Sequence, residues 1–184
     1  MLRLNFTPFP ELPTERLLLR AITLADTPVF FRLRTEAEVL KYLGRLPATD
    51  MLEVEQFITA LLQQQAANQV IAWAICLKST NTAIGMINFW KIDTTHQFAE
   101  IGYSLLPEEW QKGYMHEALQ EVLAYGFTSM NLHRIEANID PLNSASRRLL
   151  EKNGFVQEAH FKENYFFEGK FIDSVILAKL QKPY

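Results

Sequence analysis

A single cysteine in 184 residues excludes an internal disulfide framework, so Cys76 suits a reducing compartment. No apolar run approaches the roughly 20 residues that span a bilayer. The first residues lack the charged-then-apolar pattern of a secretory signal, and a cytoplasmic location is expected. Positive charge is not in excess: the net charge of -3 gives neither a nucleic-acid footprint nor a polybasic membrane patch. The four histidines lack metal-ligand spacing, so no metal site is expected. Repeats, linkers and low-complexity tracts are missing as well. What remains is an ordinary globular balance, with 48% apolar and 21% charged residues. Residues 1–184 are expected to form one domain with a full core.

Residues 1–13 carry Pro8, Pro10 and Pro13 and read as an extended N-terminal arm. Arg16–Ile22 reads as a first strand. Thr23 and Asp26 resemble a capping box, Pro28 is tolerated in a first turn, and the helix should run to about Glu38. In Met51–Ala67 the residues Val54, Phe57, Ile58, Leu61 and Leu62 share one helical face. The period then changes: Val70–Leu77, Ala83–Ile92 and Phe98–Leu106 read as an antiparallel meander. Helical spacing returns after Gly113 and reaches Met130. His133–Asp140 alternates as a half-buried strand. Asn143–Asn153 reads as a short helix stopped by Gly154, and Val156–Tyr165 with Lys170–Leu180 as a hairpin. Cys76 reads as a small core residue; Phe89, Trp90, Tyr165, Phe166 and Phe167 could line an acceptor groove but read mostly as packing.

Two junctions carry chemistry. At the first, a strand ends at Pro107, a tight loop follows, and a helix opens near Gly113. Unpaired N–H groups and the positive dipole end make such a helix start an anion site. Gly113 lets the backbone approach a phosphate, while Lys112 and His116 could add charge. At the second, Asp140–Phe155 leaves a strand and opens another helix.

Several motifs occur in order: Thr14–Arg20; Glu100-Ile101-Gly102-Tyr103; Trp110-Gln111-Lys112-Gly113-Tyr114; Leu132–Ala137; and Asn143 through Phe155. In these the chain resembles the GNAT superfamily of acyl-CoA N-acyltransferases, over Thr14 to about Leu180. The nearest match is the branch of ribosomal-protein serine/alanine N-terminal acetyltransferases. The resemblance implies an α/β fold, with a mixed, mostly antiparallel sheet of six to seven strands flanked by about four helices. It implies acetyl-CoA as cosubstrate and no metal. In that family the strand matching Phe98–Leu106 is bulged and splays from the one matching His133–Ile139. Pantetheine lies in the gap, which points to main-chain groups near Ser104, Leu105 and Leu106. The diphosphate would rest on N–H groups of Gln111, Lys112, Gly113, Tyr114, Met115 and His116, with Asn143 as a further cofactor contact. Three positions depart from the family pattern: Trp110 for Gln or Arg, Met115 for a small residue, and Leu150 for the usual Tyr acid.

Acetyl transfer from a thioester to an amine needs a neutral amine, an oxyanion donor and a proton for the leaving thiolate. Glu100 is the expected base, placed before a bulge at Gly102, with Glu136 and Glu163 as rivals. Main-chain N–H groups around Ile101–Tyr103 are the expected oxyanion donors. The branch resemblance assigns the acid to Ser146, which is also placed to cap its helix. The expected acceptor is a protein or peptide α-amino group, ribosomal proteins among the candidates. Polyamines, amino acids or aminoglycosides are the alternative, and a non-catalytic acyl-CoA-binding module is a third reading. No nucleic-acid or membrane partner is expected; a monomer and a homodimer both remain open.

Overall fold

The computed structural model describes residue 2 and residues 4–181. Eight strands form one sheet: β1 (Leu12–Pro13), β2 (Leu17–Ala21), β3 (Ile71–Leu77), β4 (Ala83–Asp93), β5 (Phe98–Leu105), β6 (Arg134–Ile139), β7 (Val156–Phe167) and β8 (Lys170–Leu180). Their order is β1-β2-β3-β4-β5-β6-β8-β7. All neighbours are antiparallel except β5 and β6. The helices are α1 (Thr27–Leu33), α2 (Ala37–Leu40), α3 (Met51–Ala66), α4 (Tyr114–Thr128) and α5 (Ser144–Lys152). The fold class is therefore as expected, with one more strand: Leu12–Pro13 of the proline-rich arm adds to the sheet edge.

The single helix expected over Thr23–Glu38 is broken. A 3-10 turn over Leu24–Asp26 leads into α1, and α2 starts separately. The Arg34 carbonyl accepts from the Ala48 N–H at 2.9 Å instead of continuing the helix, and Glu36 is extended.

Two apolar layers bury the sheet. Leu17, Leu19, Trp73, Ile87, Phe89, Ala99, Ile101 and Ile135 pack against Ala118, Leu119, Val122 and Leu123 of α4. On the other face Ala72, Ala74 and Cys76 meet Phe30 of α1 and Val54, Ile58 and Leu61 of α3. Strand β3, IAWAICL, is buried on both faces, which is why it reads as a continuous apolar run. Gly126 lets α4 press onto β4: a Cβ there would lie 2.8 Å from Phe89 Cζ. Phe89 is core, but Trp90, Tyr165 and Phe166 are exposed, against the packing expected for them.

Candidate active site

The parallel pair β5–β6 sets the site. Its register covers only Phe98↔Arg134, Ala99↔Ile135 and Glu100↔Glu136, and the strands then part although β5 continues to Leu105. Leu106 N–H donates to Ile84 O at 2.9 Å, so even-numbered residues of this stretch turn their main chain toward β4. Tyr103 and Leu105 accordingly direct theirs into the gap that β6 has left, and so does the Ile101 carbonyl, while the Ile101 N–H still pairs with β6 at Glu136. The Trp110 indole donates to the Leu105 carbonyl at 2.9 Å, which fits that alternation and closes the end of the strand.

This corrects two expectations. The β4–β5 register runs unbroken through Asn88↔Gly102, and the bulge lies instead in β4 at Lys91, which is left-handed at φ 46°. Gly102 has its own steric role, since a Cβ there would approach Asn88 Oδ1 at 3.0 Å. Leu106 is not a free main-chain contact: it is buried, its N–H is taken by Ile84, and its carbonyl accepts from Glu109 N–H at 2.9 Å. Ser104 meets the cleft through its side chain, since its main chain faces β4.

A cleft of about 610 Å³ occupies the gap. Tyr103, Met115, Asn143 and Ser146 line it from the α4–α5 face, and Glu38, Tyr42 and Ser104 from the opposite face. It therefore passes through the sheet. Gln111, Gly113, Tyr114 and His116 also line it, whereas Lys112 and Glu100 are not among its lining.

The α4 end of the cleft suits an anion. Gln111 (φ 60°) and Gly113 (φ 83°) are left-handed, so the chain turns sharply into the helix. The first helical bond is Glu117 N–H to Gly113 O at 3.1 Å, leaving the N–H groups of Tyr114, Met115 and His116 without helical acceptors. Arg16 anchors this turn: its guanidinium donates to Lys112 O (3.0 Å) and to the Glu117 carboxylate (2.7 Å), and it lies over the Tyr114 ring. Burial alone would raise the Glu117 carboxyl, but hydrogen bonds from Thr14 and Arg16 outweigh it and hold the group below its ordinary value. Lys112 does not supply free charge, since its ammonium pairs with Glu109 at 3.0 Å.

Asn143 is the α5 N-cap and accepts from Ser146 N–H at 3.0 Å. Capping keeps Ser146 in the first turn, where its hydroxyl meets the Tyr103 hydroxyl at 2.7 Å. Burial pushes the Tyr103 phenol up to about 12, partly offset by the Ser146 bond. Tyr103 is a functional candidate that the sequence reading treated only as main chain. The signal available was its alternation on β5, which puts its side chain on the face of Ile101 and α5.

Glu100 alternates to the other face, with Trp90 as its cross-strand neighbour. It is 7% exposed and pairs with Lys91 Nζ at 2.8 Å. The β4 bulge places that lysine. Glu136 is bound to Arg134, which also grips Glu158, and Glu163 is exposed on β7 with its N–H on Asp173. None of the three carboxylates lines the cleft, but Glu100 stands on β5, three residues before Tyr103, which does.

A cleft through the gap of a splayed strand pair, with a helix start at one end, defines an acyl-CoA N-acyltransferase. The family model described as "Acetyltransferase (GNAT) domain" matches residues 16–156, and the chain belongs to that family. A relative from Bacillus licheniformis, "Uncharacterized N-acetyltransferase p20", is 36% identical over 93% of this chain and 96% of its own. The spermidine N-acetyltransferase of Vibrio cholerae, solved with CoA and spermine, superposes with TM-score 0.81 at 26% identity over 90% of this chain and 96% of that one. An acetyltransferase from Salmonella typhimurium that modifies the N-terminal serine of ribosomal protein L7/L12 gives TM-score 0.85 at 20% identity, covering 94% and 100%. That last likeness speaks for the fold alone. The protein is an acetyl-CoA-dependent N-acetyltransferase of the GNAT type.

Proposed function

We propose that this enzyme acetylates α-amino groups at protein or peptide N-termini by direct attack of the amine, as the ribosomal-protein branch does. When bound, acetyl-CoA supplies the activated thioester. The chain supports it with the Ile101 carbonyl and the Tyr103 main chain in the gap and with the α4 start, from Gln111 to His116, for the diphosphate. Asn143 holds the α5 start against the same cleft. Glu100 receives the amine proton through water, and the N–H group of Tyr103 stabilises the developing oxyanion. The Tyr103–Ser146 pair, one hydroxyl donating to the other, donates its remaining O–H to the departing sulfur.

The observation that carries the acceptor class is the Glu100–Lys91 pair at 2.8 Å. An α-amine, with pKa near 8, is roughly a tenth neutral at pH 7, whereas an alkylamine near 10.4 is less than a thousandth neutral. An N-terminal acceptor therefore asks far less of a general base. Lys91 also opposes a polycation approaching on the Glu100 face.

Polyamine acetylation is the second reading. It is favoured by 26% identity to the Vibrio cholerae enzyme named spermidine N(1)-acetyltransferase, over 92% of this chain, and by Glu38 in the cleft wall. Thiol release from acetyl-CoA separates the two. Peptides with free N-terminal Ser or Ala should give kcat/KM at least tenfold above spermidine and spermine. The reverse order would transfer the proposal to polyamines.

A further inference from the structure

Asn153 has no role considered above, yet its buried amide bonds to His116, which lines the cleft. It is 6% exposed and closes α5 at the C-cap. Its Nδ2 makes two bonds, to Leu149 O at 2.7 Å and to His116 Nδ1 at 3.0 Å. A carbonyl oxygen only accepts, so this end of the amide is the NH2 group. His116 Nδ1 must then accept the second hydrogen, and the ring carries its proton on Nε2. The Asn153 main chain is also held, with its carbonyl accepting from Lys179 Nζ at 2.7 Å.

We propose that Asn153 is a positioning residue that fixes His116 as the Nε2–H tautomer, so that the imidazole presents a directed donor to the coenzyme A diphosphate. His116 stands in the first turn of α4, beside the unpaired N–H groups, and its side chain lines the cleft. A side-chain amide neither gains nor loses a proton in this pH range, so the tautomer it selects is constant. An imidazole free to flip or exchange tautomers would offer the anion a lone pair part of the time. The brace also links the C-terminal end of α5 to the start of α4, so the two helices that border the cleft are joined by a part-buried hydrogen bond. The inference rests on the assignment of this cleft to coenzyme A and is independent of the acceptor.

Two measurements test it. Long-range 15N–1H spectra of the wild-type protein should show His116 protonated at Nε2 alone; protonation at Nδ1 or a tautomer mixture would overturn the proposal without any variant. Calorimetry should show coenzyme A binding weakened about tenfold in Asn153→Ala, the scale of one hydrogen bond to a charged group. His116→Ala should lose a similar factor, the double variant should lose no more than His116→Ala, and binding of acetyl-pantetheine, which lacks the diphosphate, should not change. Full additivity, or an equal loss for acetyl-pantetheine, would show a merely structural role and overturn the proposal. Wild-type protein that binds no coenzyme A would overturn the cleft assignment and this inference with it, whereas wild-type binding with an unaffected Asn153→Ala would overturn this inference alone.

Discussion

The hydroxyls of Tyr103 and Ser146 lie 2.7 Å apart and join the parted end of β5 to the first turn of α5. Burial has pushed the Tyr103 phenol up to about 12, far above an ordinary thiol near 8.5. Outright proton transfer from Tyr103 to a leaving thiolate is therefore uphill, and the pair acts by hydrogen bonding. Tyr103→Phe and Ser146→Ala should each lower kcat about tenfold, the scale of one hydrogen bond to a charged group. Together they should lose less than the product, because they form one unit. The phenol stays neutral below its raised pKa, so no Tyr103-dependent limb should appear between pH 8 and 10. Steady-state thiol release from pH 6 to 10 checks both statements.

Glu100→Gln removes the base and keeps the shape. It should lower kcat by about a hundredfold, the lower bound for general base catalysis, with coenzyme A affinity unchanged. Lys91→Met should leave kcat within a few-fold, because the lysine is half-exposed and holds the carboxylate without touching the amine. Parallel kinetics and cofactor calorimetry make the comparison. A Glu100→Gln enzyme at wild-type rate would move the base to water alone.

Gly113 holds φ 83° where α4 begins, and a Cβ there would lie 3.3 Å from Arg16 Nη2. Gly113→Val should strain the turn and push on the arginine that anchors it, weakening coenzyme A binding tenfold or more, about 1.4 kcal/mol. Calorimetric titration reads this directly.

Far from the cleft, Arg20 grips Asp26 with two bonds of 2.7 and 2.9 Å. Burial would raise the Asp26 carboxyl, but Arg20 and the Thr23 N–H together hold it below its ordinary value. Its stabilisation is thus complete above the unfolded pKa and is lost as pH falls through the lower folded value. Asp26→Asn should lose about 2 kcal/mol at pH 7, the scale of hydrogen bonds to a charged group. The gap to wild type should narrow at pH 3 and below. Urea unfolding at the two pH values measures it.

Most of the architecture was legible because its signals are local. The alternation of His133–Asp140, the apolar run of β3 and the face of α4 each follow from one period. Tertiary contacts decided the rest. The break after α1 depends on Ala48 reaching back to Arg34, 14 residues away in sequence, which no window over Thr23–Glu38 contains. The bulge fell at Lys91 and not at Gly102 because glycine in a strand marks either a bulge or a close neighbour, and Asn88 makes it the second. Ser146 was legible at the α5 start, but its partner Tyr103 is 43 residues away and entered only through the structure. Lys112 read as free charge until its pairing with Glu109 was visible.

A crystal structure of the protein with coenzyme A bears most directly on the gap between β5 and β6. The pantetheine arm should run between those strands, bonded to the main chain of Ile101 or Tyr103, with the diphosphate on the N–H groups between Gln111 and His116. Coenzyme A seated elsewhere, with those amides left to solvent, would contradict the account.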